Sequence, residues 1–393
     1  MYKVWIGNRE SEILTYNIFD ESITFYGSNI NKNTSYTIEH RTPSNYKHDF
    51  TNFVIAKIDI IVSNHEKPEF HFYNPVFAYK ILSLRPDFKP YFANLIDYEI
   101  LKWINSKSFV RSWLSKTVDV PPYAVLSKKE CNIENLKKLF GNFDCFVVQK
   151  DTSGGGEGTY LLTHSSQDVV LSCISNYALF LVSPFLQPKI SACCHMLVDR
   201  ENVFVFPFGT QISEIADNRL LYKGTSYSFD SFFSSDIVNL LHKKANIIGE
   251  RLRDIGYRGI CGLDFIIFND KVLFIEINAR YLGSTFLINK SLKEKHLLSL
   301  FDLNTLCFKS NIPIDSLSNI EVGYTSNNEK CLSELTEKDI NKIILEKHDS
   351  NSEIFWDGFQ NTKYASRGSY LYREMFKTID RSDVINQIHL KEE

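Results

Sequence analysis

Residues 262–280 decide the fold of this chain; they read GLDFIIFNDKVLFIEINAR. Two apolar runs lie on either side of Asn269-Asp270, a pattern typical of two strands joined by a tight turn. Polar side chains interrupt these runs at Asp264, Glu276 and Asn278. A carboxylate inside an apolar strand is costly unless it is paired or binds a cation, so these positions indicate a binding site.

The polar residues of the second run are spaced by two, which predicts that Glu276, Asn278 and Arg280 lie on one face of a strand. Two carboxylates and an amide oxygen are hard ligands of the kind that Mg²⁺ prefers. Asp264, Glu276 and Asn278 therefore predict a metal site, with the Arg280 guanidinium beside it for a phosphate or carboxylate. The alternative is a pair of structural salt bridges at the margin of a sheet.

A glycine-rich loop precedes this hairpin in the chain. Residues 146–150 (FVVQK) predict a strand that ends in Lys150, residues 153–158 read SGGGEG, and residues 160–163 (YLLT) predict a second strand. Glycines allow backbone N–H groups to approach phosphate oxygens without Cβ clashes, and Lys150 adds a positive charge for the same phosphates. The alternative is a flexible hairpin without a ligand.

This loop differs from the common nucleotide-binding loops. No Gly-Lys-Ser/Thr follows it, so it is not a Walker A loop. The dinucleotide spacing fails at Thr159, and a strand rather than a helix follows. The protein kinase motifs His-Arg-Asp and Asp-Phe-Gly do not occur downstream.

The order of these features resembles the ATP-grasp superfamily over roughly residues 105 to 290: a lysine-ended strand, a glycine-rich hairpin, Gly-x-Asp-Phe and Phe-Ile-Glu-Ile-Asn-x-Arg. The resemblance implies an α+β protein with the ATP-grasp fold, in which two α+β subdomains clamp ATP. It also implies that the γ-phosphoryl group of ATP is transferred to a carboxylate. An amine, or less often a thiol, then attacks the acyl phosphate.

The resemblance also implies roles for individual residues. Asp264, Glu276 and Asn278 correspond to the Mg²⁺ ligands, with Mn²⁺ as a substitute ion. Lys150 corresponds to a lysine that contacts the α-phosphate and the adenine side, and Arg280 to a residue that steadies the transferred phosphate; these two are predicted to be catalytic. The loop that covers the phosphates is predicted to comprise Ser153, Gly154, Gly155, Gly156 and Gly158.

Further nucleotide contacts follow from the same resemblance. Lys107, in a capped helix before Pro121-Pro122, is predicted to reach the phosphates, and Lys223 to add a second charge; for both, the alternative is a solvated lysine. Ser183 and Leu186 lie in a segment that resembles the hinge contacting adenine, although it also reads as a core strand. Many relatives carry a glutamate at the Ser183 position, so this chain departs from the pattern there.

Composition excludes several classes of function. The 393 residues carry 44 Lys+Arg and 47 Asp+Glu, a net charge of −3 that argues against a nucleic-acid partner. Eight cysteines without a CxxC pair favour a reducing cytoplasm. No apolar run approaches the ~20 residues of a membrane span, and the first residues do not read as a signal peptide.

The chain is predicted to have three regions. Residues 1–104 form a small α/β N-terminal lobe, residues 105–300 bind the nucleotide and metal, and residues 301–393 form an extension that packs on the catalytic lobe. The predicted activity is an ADP-forming carboxylate–amine ligase for an amino acid or small peptide, with small-molecule substrates. Alternatives left open are an amino-acid ligase that loads a carrier protein, and a regulatory protein that only binds nucleotide. A homodimer is also left open.

Overall fold

The computed structural model describes residues 1–26, 46–152, 158–174, 178–187, 190–227, 233–330, 335–336, 338–339, 342–343, 352–356, 364–365 and 370–377. These residues form two compact units. The first unit lies within residues 1–98 and 280–378, and the second within residues 99–279. No helix in the described part of the chain is long and apolar enough to cross a membrane. The division into three functional regions stays a prediction.

The helices are α1 (Tyr46–Asn64), α2 (Pro75–Leu84), α3 (Tyr98–Ile104), α4 (Lys107–Leu114), α5 (Ile133–Phe140), α6 (Gln167–Cys173), α7 (Ser235–Asp254), α8 (Thr285–Glu294), α9 (Leu300–Lys309) and α10 (Ile314–Leu317). The strands are β1 (Lys3–Arg9), β2 (Glu21–Tyr26), β3 (Glu69–Phe72), β4 (Ala124–Ser127), β5 (Cys145–Lys150), β6 (Thr159–Thr163), β7 (Leu179–Pro184), β8 (Ile190–Val198), β9 (Val203–Val205), β10 (Gly209–Ala216), β11 (Arg219–Ser226), β12 (Gly259–Phe268), β13 (Lys271–Asn278), β14 (Tyr324–Lys330), β15 (Leu335–Thr336), β16 (Glu353–Trp356), β17 (Tyr364–Ala365) and β18 (Tyr370–Lys377). Residues 10–12 and 86–91 form short 3₁₀ helices.

The first unit contains a parallel sheet in the order β2-β1-β3. Helix α1 packs on this sheet through Val54, Ile58 and Ile61, which are buried and recur at the spacing of one helix face. Because β1 and β3 are parallel neighbours, the residues that follow these two strands lie at the same edge of the sheet. The later strands of this unit form an antiparallel set in which β18 pairs with both β14 and β16.

The Glu69 carboxylate of β3 makes the first unit sensitive to acid. The His71 ring, whose Nε2 lies 3.5 Å from Glu69 Oε2, and the charge of Lys309 lower the pKa of Glu69 from its usual 4.5 to about 2, although burial opposes this. Since the folded pKa lies below that of the unfolded chain, this stabilisation is complete above the usual pKa and is lost as the pH falls toward 2.

Replacing Glu69 by glutamine should therefore lower the melting temperature at pH 6, and the difference from the wild type should shrink steadily as the pH falls from 4.5 toward 2. Thermal melts of both proteins across this range measure the effect. Glu66→Gln, at an exposed position nearby, is the matched control and should change little. A difference in melting temperature between Glu69→Gln and the wild type that has the same size at every pH would contradict the lowered pKa of Glu69.

The second unit is built on one antiparallel sheet in the order β13-β12-β8-β10-β11-β6-β5-β7-β4. The β6–β11 junction is narrow: its Cα register consists of the pair Arg219 and Tyr160, and the Arg219 guanidinium lies 5.2 Å from the Tyr160 ring centroid. This junction divides the unit into two parts. One part contains β4–β7 with α5 and α6, and the other contains β8–β13 with α7.

Helix α7 buries one face through Leu241, Ala245, Ile248 and Leu252. Lys244 is also buried on this helix. Its Nζ donates to Asp119 Oδ2 at 2.5 Å and to the Val272 carbonyl at 2.6 Å. A buried ammonium is tolerated here because both contacts replace the water that it loses.

Candidate functional site

The predicted hairpin is formed by β12 and β13. Asn269 and Asp270 have φ values of +48° and +57°, the left-handed conformations that a two-residue turn of type I′ requires. The strands pair in register from Phe268 opposite Lys271 to Gly262 opposite Asn278. The hairpin and its turn are therefore confirmed.

A β-bulge interrupts this register next to the polar residues. Asp264 is opposite Glu276, whereas the next residue, Phe265, is opposite Phe274, so Ile275 has no partner on β12. Bulges re-aim side chains and leave one backbone group outside the strand ladder. Here the Ile275 carbonyl accepts a hydrogen bond from Arg111 Nε at 3.1 Å.

The three predicted metal ligands come together on one face of the hairpin. Asn278 Nδ2 lies 2.9 Å from Asp264 Oδ2 and 3.3 Å from Glu276 Oε1. The amide of Asn278 thus separates two carboxylates that would otherwise repel each other. Rotating this amide by 180° would turn its oxygen toward the same point, and the two orientations differ only in the placement of nitrogen and oxygen.

This donor set fits a divalent cation. The described residues contain no cluster of three or more His, Cys, Asp or Glu side chains that could hold a metal ion, so the protein would supply two carboxylates and one amide. Mg²⁺ binds to few protein ligands and completes its octahedral shell with water and phosphate oxygens. A site with two carboxylates and one amide oxygen therefore suits Mg²⁺ when a nucleotide supplies the remaining ligands.

The outer oxygens of both carboxylates are held by neighbouring side chains. Gln211 Nε2 of β10 donates to Asp264 Oδ1 at 2.8 Å. Lys107 Nζ of α4 lies 3.1 Å from Glu276 Oε2. Gln211 was not among the predicted site residues, because its position depends on the pairing of β10 with β8 and of β8 with β12.

Lys107 lies at the start of α4, and its side chain is 6% exposed, so it is not a solvated lysine. Ser106 caps the helix through a hydrogen bond from Phe109 N. The carboxylate of Asp151 accepts hydrogen bonds from Ser108 N and from Ser106 Oγ, both at 2.7 Å. An anion at a helix N-terminus is favourable, and this one ties the residue after Lys150 to α4.

Arg111 was missed as a site residue, although it lies four positions after Lys107 and thus on the same helix face. Its guanidinium is buried and donates to the Ile275 carbonyl, to Ser183 Oγ at 3.0 Å and to Gln149 Oε1 at 3.3 Å. Burial lowers the pKa of Arg111 to about 10, and the nearby charge of Glu276 opposes this shift. Arg111 therefore links α4, β5, β7 and the bulge of β13.

The glycine loop joins β5 to β6. Ser153, Gly154, Gly155 and Gly156 lie outside the described residues. At the edges of the loop, Lys150 N donates to the Gly158 carbonyl at 2.9 Å, and Gly158 has φ of +76°. A side chain at Gly158 would be strained in this conformation, which gives a local reason for glycine there.

The predicted hinge residues lie on and just after β7. Ser183 is buried and its hydroxyl accepts from Arg111, and Leu186 is buried beyond the strand end. Lys223 is buried on β11, 3.2 Å from Glu214 Oε2 of β10. Lys223 is therefore part of an ion pair within the sheet and not a surface lysine.

Arg280 does not lie on the strand with Glu276 and Asn278. Strand β13 ends at Asn278, and Arg280 belongs to the first unit. The prediction that it shares their strand face is wrong, because the chain leaves the sheet before reaching it. Its Nη1 donates to Tyr73 Oη at 3.2 Å and to the Tyr281 carbonyl at 2.9 Å.

His195 lies among the buried residues of β8, opposite Gly262 of β12 in the sheet register. It is fully buried on β8, and burial lowers its pKa to about 3. Its Nδ1 lies 3.3 Å from the Tyr227 hydroxyl.

Comparisons with known proteins agree with this architecture. The ATP-grasp domain family matches residues 104–284. A sequence search of curated proteins finds no match.

Several solved structures are similar over almost the whole chain. Carboxyaminoimidazole ribonucleotide synthase from Aspergillus clavatus, complexed with ATP, has a TM-score of 0.65 and 13% identity, covering 100% of this chain and 97% of that one. N5-carboxyaminoimidazole synthetase from Staphylococcus aureus, complexed with ADP, has a TM-score of 0.62 and 12% identity, with coverage of 100% and 97%. Phosphoribosylamine–glycine ligase from Thermotoga maritima has a TM-score of 0.59 and 13% identity, with coverage of 99% and 96%.

These likenesses and the family match establish the fold, and the predicted α+β fold class is confirmed. Residues 104–284 of this chain match the ATP-grasp domain family and have the ATP-grasp fold.

Proposed function

We propose that this protein is an ADP-forming ligase that activates a carboxylate with ATP and joins it to an amine. The observation that carries the proposal is the convergence of Asp264, Glu276 and Asn278 at a β-bulge, with Lys107 beside Glu276. The similar structures named above include proteins complexed with ATP and with ADP and one amine ligase, which supports the same reaction class.

In the proposed reaction, an oxygen of the substrate carboxylate attacks the γ-phosphorus of ATP. The bond from this phosphorus to the β,γ-bridging oxygen breaks, and ADP leaves. The amine nitrogen then attacks the acyl carbon, the carbon–oxygen bond to phosphate breaks, and the amine loses a proton. Most of the catalysis in such transfers comes from positioning and from cations that stabilise the developing charge.

Different residues of this chain are proposed to bind the metal, the phosphates and the adenine. Asp264, Glu276 and Asn278 would hold Mg²⁺ or Mn²⁺, which neutralises the β- and γ-phosphates when bound. Lys107, Lys150 and Lys223 supply charge for the phosphates, and the loop with Ser153, Gly154, Gly155, Gly156 and Gly158 covers them. Ser183 and Leu186 lie in the segment proposed to contact adenine. Arg280 steadies the transferred phosphate or the acyl phosphate.

We also propose that the acid and the amine are small molecules and that the protein works in a reducing cytoplasm. The cysteines at positions 131, 145, 173, 193, 194, 261 and 307, all in described segments, are free thiols. Disulfides are rare in that compartment.

Release of ADP and phosphate tests the activity. We expect Mg²⁺-dependent ADP release with pooled amino acids and small acids, and hydroxylamine should convert the acyl phosphate into a hydroxamate. Splitting the pool identifies the acid. ATP binding without ADP release over the whole panel, with added carrier protein as well, would contradict the ligase and favour a protein that only binds nucleotide.

A further inference from the structure

A second cluster of charged side chains lies in the first unit, at the carboxyl ends of β1 and β3. Arg9 ends β1, and Glu12 lies in the 3₁₀ helix that follows. Tyr73 follows β3, and its N–H donates to the Ile6 carbonyl of β1 at 2.9 Å. The carboxyl ends of neighbouring parallel strands form the edge where open α/β sheets bind ligands.

Two arginines of this cluster share one acceptor atom. Arg9 Nη1 and Arg373 Nε each donate to Asn328 Oδ1, both at 3.1 Å. Both arginines are buried, with exposed fractions of 4% and 0%. Two like charges held this close together in a medium of low dielectric repel each other, and the Glu12 carboxylate, whose Oε1 lies 4.0 Å from Arg9 Nε, offsets part of that repulsion. A further anion beside the two guanidinium groups would lower it more.

Packing fixes the position of these guanidinium groups. Asn328 and Arg373 are register partners on β14 and β18. The Arg373 guanidinium carbon also lies 4.1 Å from the centroid of the Phe286 ring, a cation–π contact. The site is therefore built into the sheet and does not depend on flexible surface side chains.

Tyr73 connects a third arginine to the cluster, because its hydroxyl accepts from Arg280. Burial raises the pKa of Tyr73, while Arg280, Arg9 and Arg373 lower it and Glu12 raises it. All four charged groups therefore lie around one phenol. Within the described part of the chain, this cluster contains three cations and one carboxylate, a positive excess.

Trp5 adds a further donor. Its side chain is fully buried, and within the described residues its indole N–H has no hydrogen-bond acceptor. A Cβ atom at Gly7 would lie 2.5 Å from Trp5 Nε1 and 2.8 Å from Glu12 Oε2. Glycine at this position thus leaves room where the indole N–H and the Glu12 carboxylate approach the strand.

We propose that the cluster of Arg9, Glu12, Tyr73, Arg280, Asn328 and Arg373 is the binding site for the acid substrate, and that this acid is a small dianion, meaning an acid with two anionic groups, either a dicarboxylate or a phosphorylated carboxylate. One anionic group binds between Arg9 and Arg373, where guanidinium groups offer paired donors. The carboxylate to be activated binds by Arg280. This inference rests on the proposed ligase function.

Binding in the absence of nucleotide tests the site independently of catalysis. The probes are succinate, glutarate and L-glutamate as dicarboxylates, phosphoglycolate and 3-phosphoglycerate as phosphorylated acids, and butyrate and L-alanine as controls with a single carboxylate. Calorimetric titration of the full chain should give a Kd at least tenfold lower for one of the two dianion classes than for the controls. Which class binds more tightly identifies the second anionic group.

Variants locate the binding. Arg373→Met and Arg9→Gln should each weaken binding of the preferred dianion at least tenfold, while Arg85→Met, which removes a partly exposed arginine paired with Asp59 and Asp87, should not. Thermal unfolding of each variant checks that it is folded, because Arg9 and Arg373 lie in the first unit and ATP affinity would report mainly on the second. If Arg373→Met does not fold, the affinity for the dianion is compared between the wild type and the variants Arg373→Lys and Arg9→Gln.

The outcomes separate this inference from the proposed function. Dianion binding that is lost in Arg9→Gln supports the site even if no ADP is released with any acid, a result that would instead contradict the ligase. ADP release with an acid that carries a single anionic group would retain the ligase and overturn the dianion site. Equal affinity for dianions and controls, or dianion binding that is unchanged in both variants, would also overturn it.

Discussion

Replacing Glu276 by glutamine should lower Mg²⁺-dependent ADP release by about a thousandfold, comparable to the loss of a preorganised charge-stabilising group in other enzymes. The Glu276 carboxylate lies opposite Asp264, within 3.3 Å of Asn278 Nδ2 and 3.1 Å of Lys107 Nζ. Glutamine has nearly the same shape but no charge, so the variant keeps the packing and loses one of the two anionic ligands. It also leaves Lys107 buried without this carboxylate.

ADP release at increasing Mg²⁺ concentrations measures this loss. If the variant needs a higher Mg²⁺ concentration for half-maximal ADP release, the defect lies in metal binding. Glu250→Gln, an exposed position on α7, is the matched control and should keep full activity. Unfolding by urea, followed for both variants, separates a catalytic defect from a folding defect. Glu276→Gln protein with wild-type turnover would remove Glu276 from the proposed metal site.

Replacing Gly249 by valine should destabilise the second unit by at least about 3 kcal/mol, at the upper end of the effects of overpacking. Gly249 is buried in the middle of α7, where it faces Val203 of β9 and Met196 of β8. A Cβ atom at this position would lie 2.7 Å from Met196 Sδ and closer still to a methyl group of Val203. Alanine is a better helix former than glycine by about 1 kcal/mol, so the close packing outweighs the helix propensity here.

Asn246→Val is the matched control, since Asn246 is exposed on the same helix and valine there meets only the weak cost of its helix propensity. The free energy of unfolding in urea should separate the two variants by more than 2 kcal/mol, of the order expected for overpacking against a surface change. Similar losses in the free energy of unfolding at both positions would show that the β-branched side chain of valine, and not the contact with β8 and β9, determines the destabilisation. Gly249→Ala should fall between the two variants.

The hairpin was predictable because its signals are local. Turn residues at Asn269 and Asp270, apolar runs of strand length and polar side chains two residues apart all lie within 20 consecutive positions. The same holds for the strands on either side of the glycine loop. In each case, the residues that make the pattern also make the contact.

Local sequence patterns were insufficient to predict the positions of three side chains, those of Gln211, Arg111 and Arg280. Gln211 reaches Asp264 only because β8 lies between β10 and β12 in the sheet. Arg111 reaches Ile275 because a bulge frees that carbonyl, and no residue in 262–280 marks the bulge in advance. Arg280 fits the two-residue spacing of the strand, yet the strand ends at Asn278.

The departure at Ser183 has a physical counterpart in the structure. Its hydroxyl accepts from the buried guanidinium of Arg111, whose three hydrogen bonds all go to neutral acceptors. A glutamate at this position would place a charge next to that guanidinium. The sequence showed that Ser183 is an unusual residue at this position, but only the tertiary structure shows that its hydroxyl contacts Arg111.

The sequence by itself determined the ATP-grasp domain, the hairpin and the identity of the residues proposed to bind metal and nucleotide, because side-chain spacing and turn chemistry act over a few residues. Only the tertiary structure decided that the described residues within 280–378 join those within 1–98 in one unit, and that Arg9, Asn328 and Arg373 meet there. Contacts between residues more than 300 positions apart depend on the packing of whole strands, and no local pattern encodes which strands will meet.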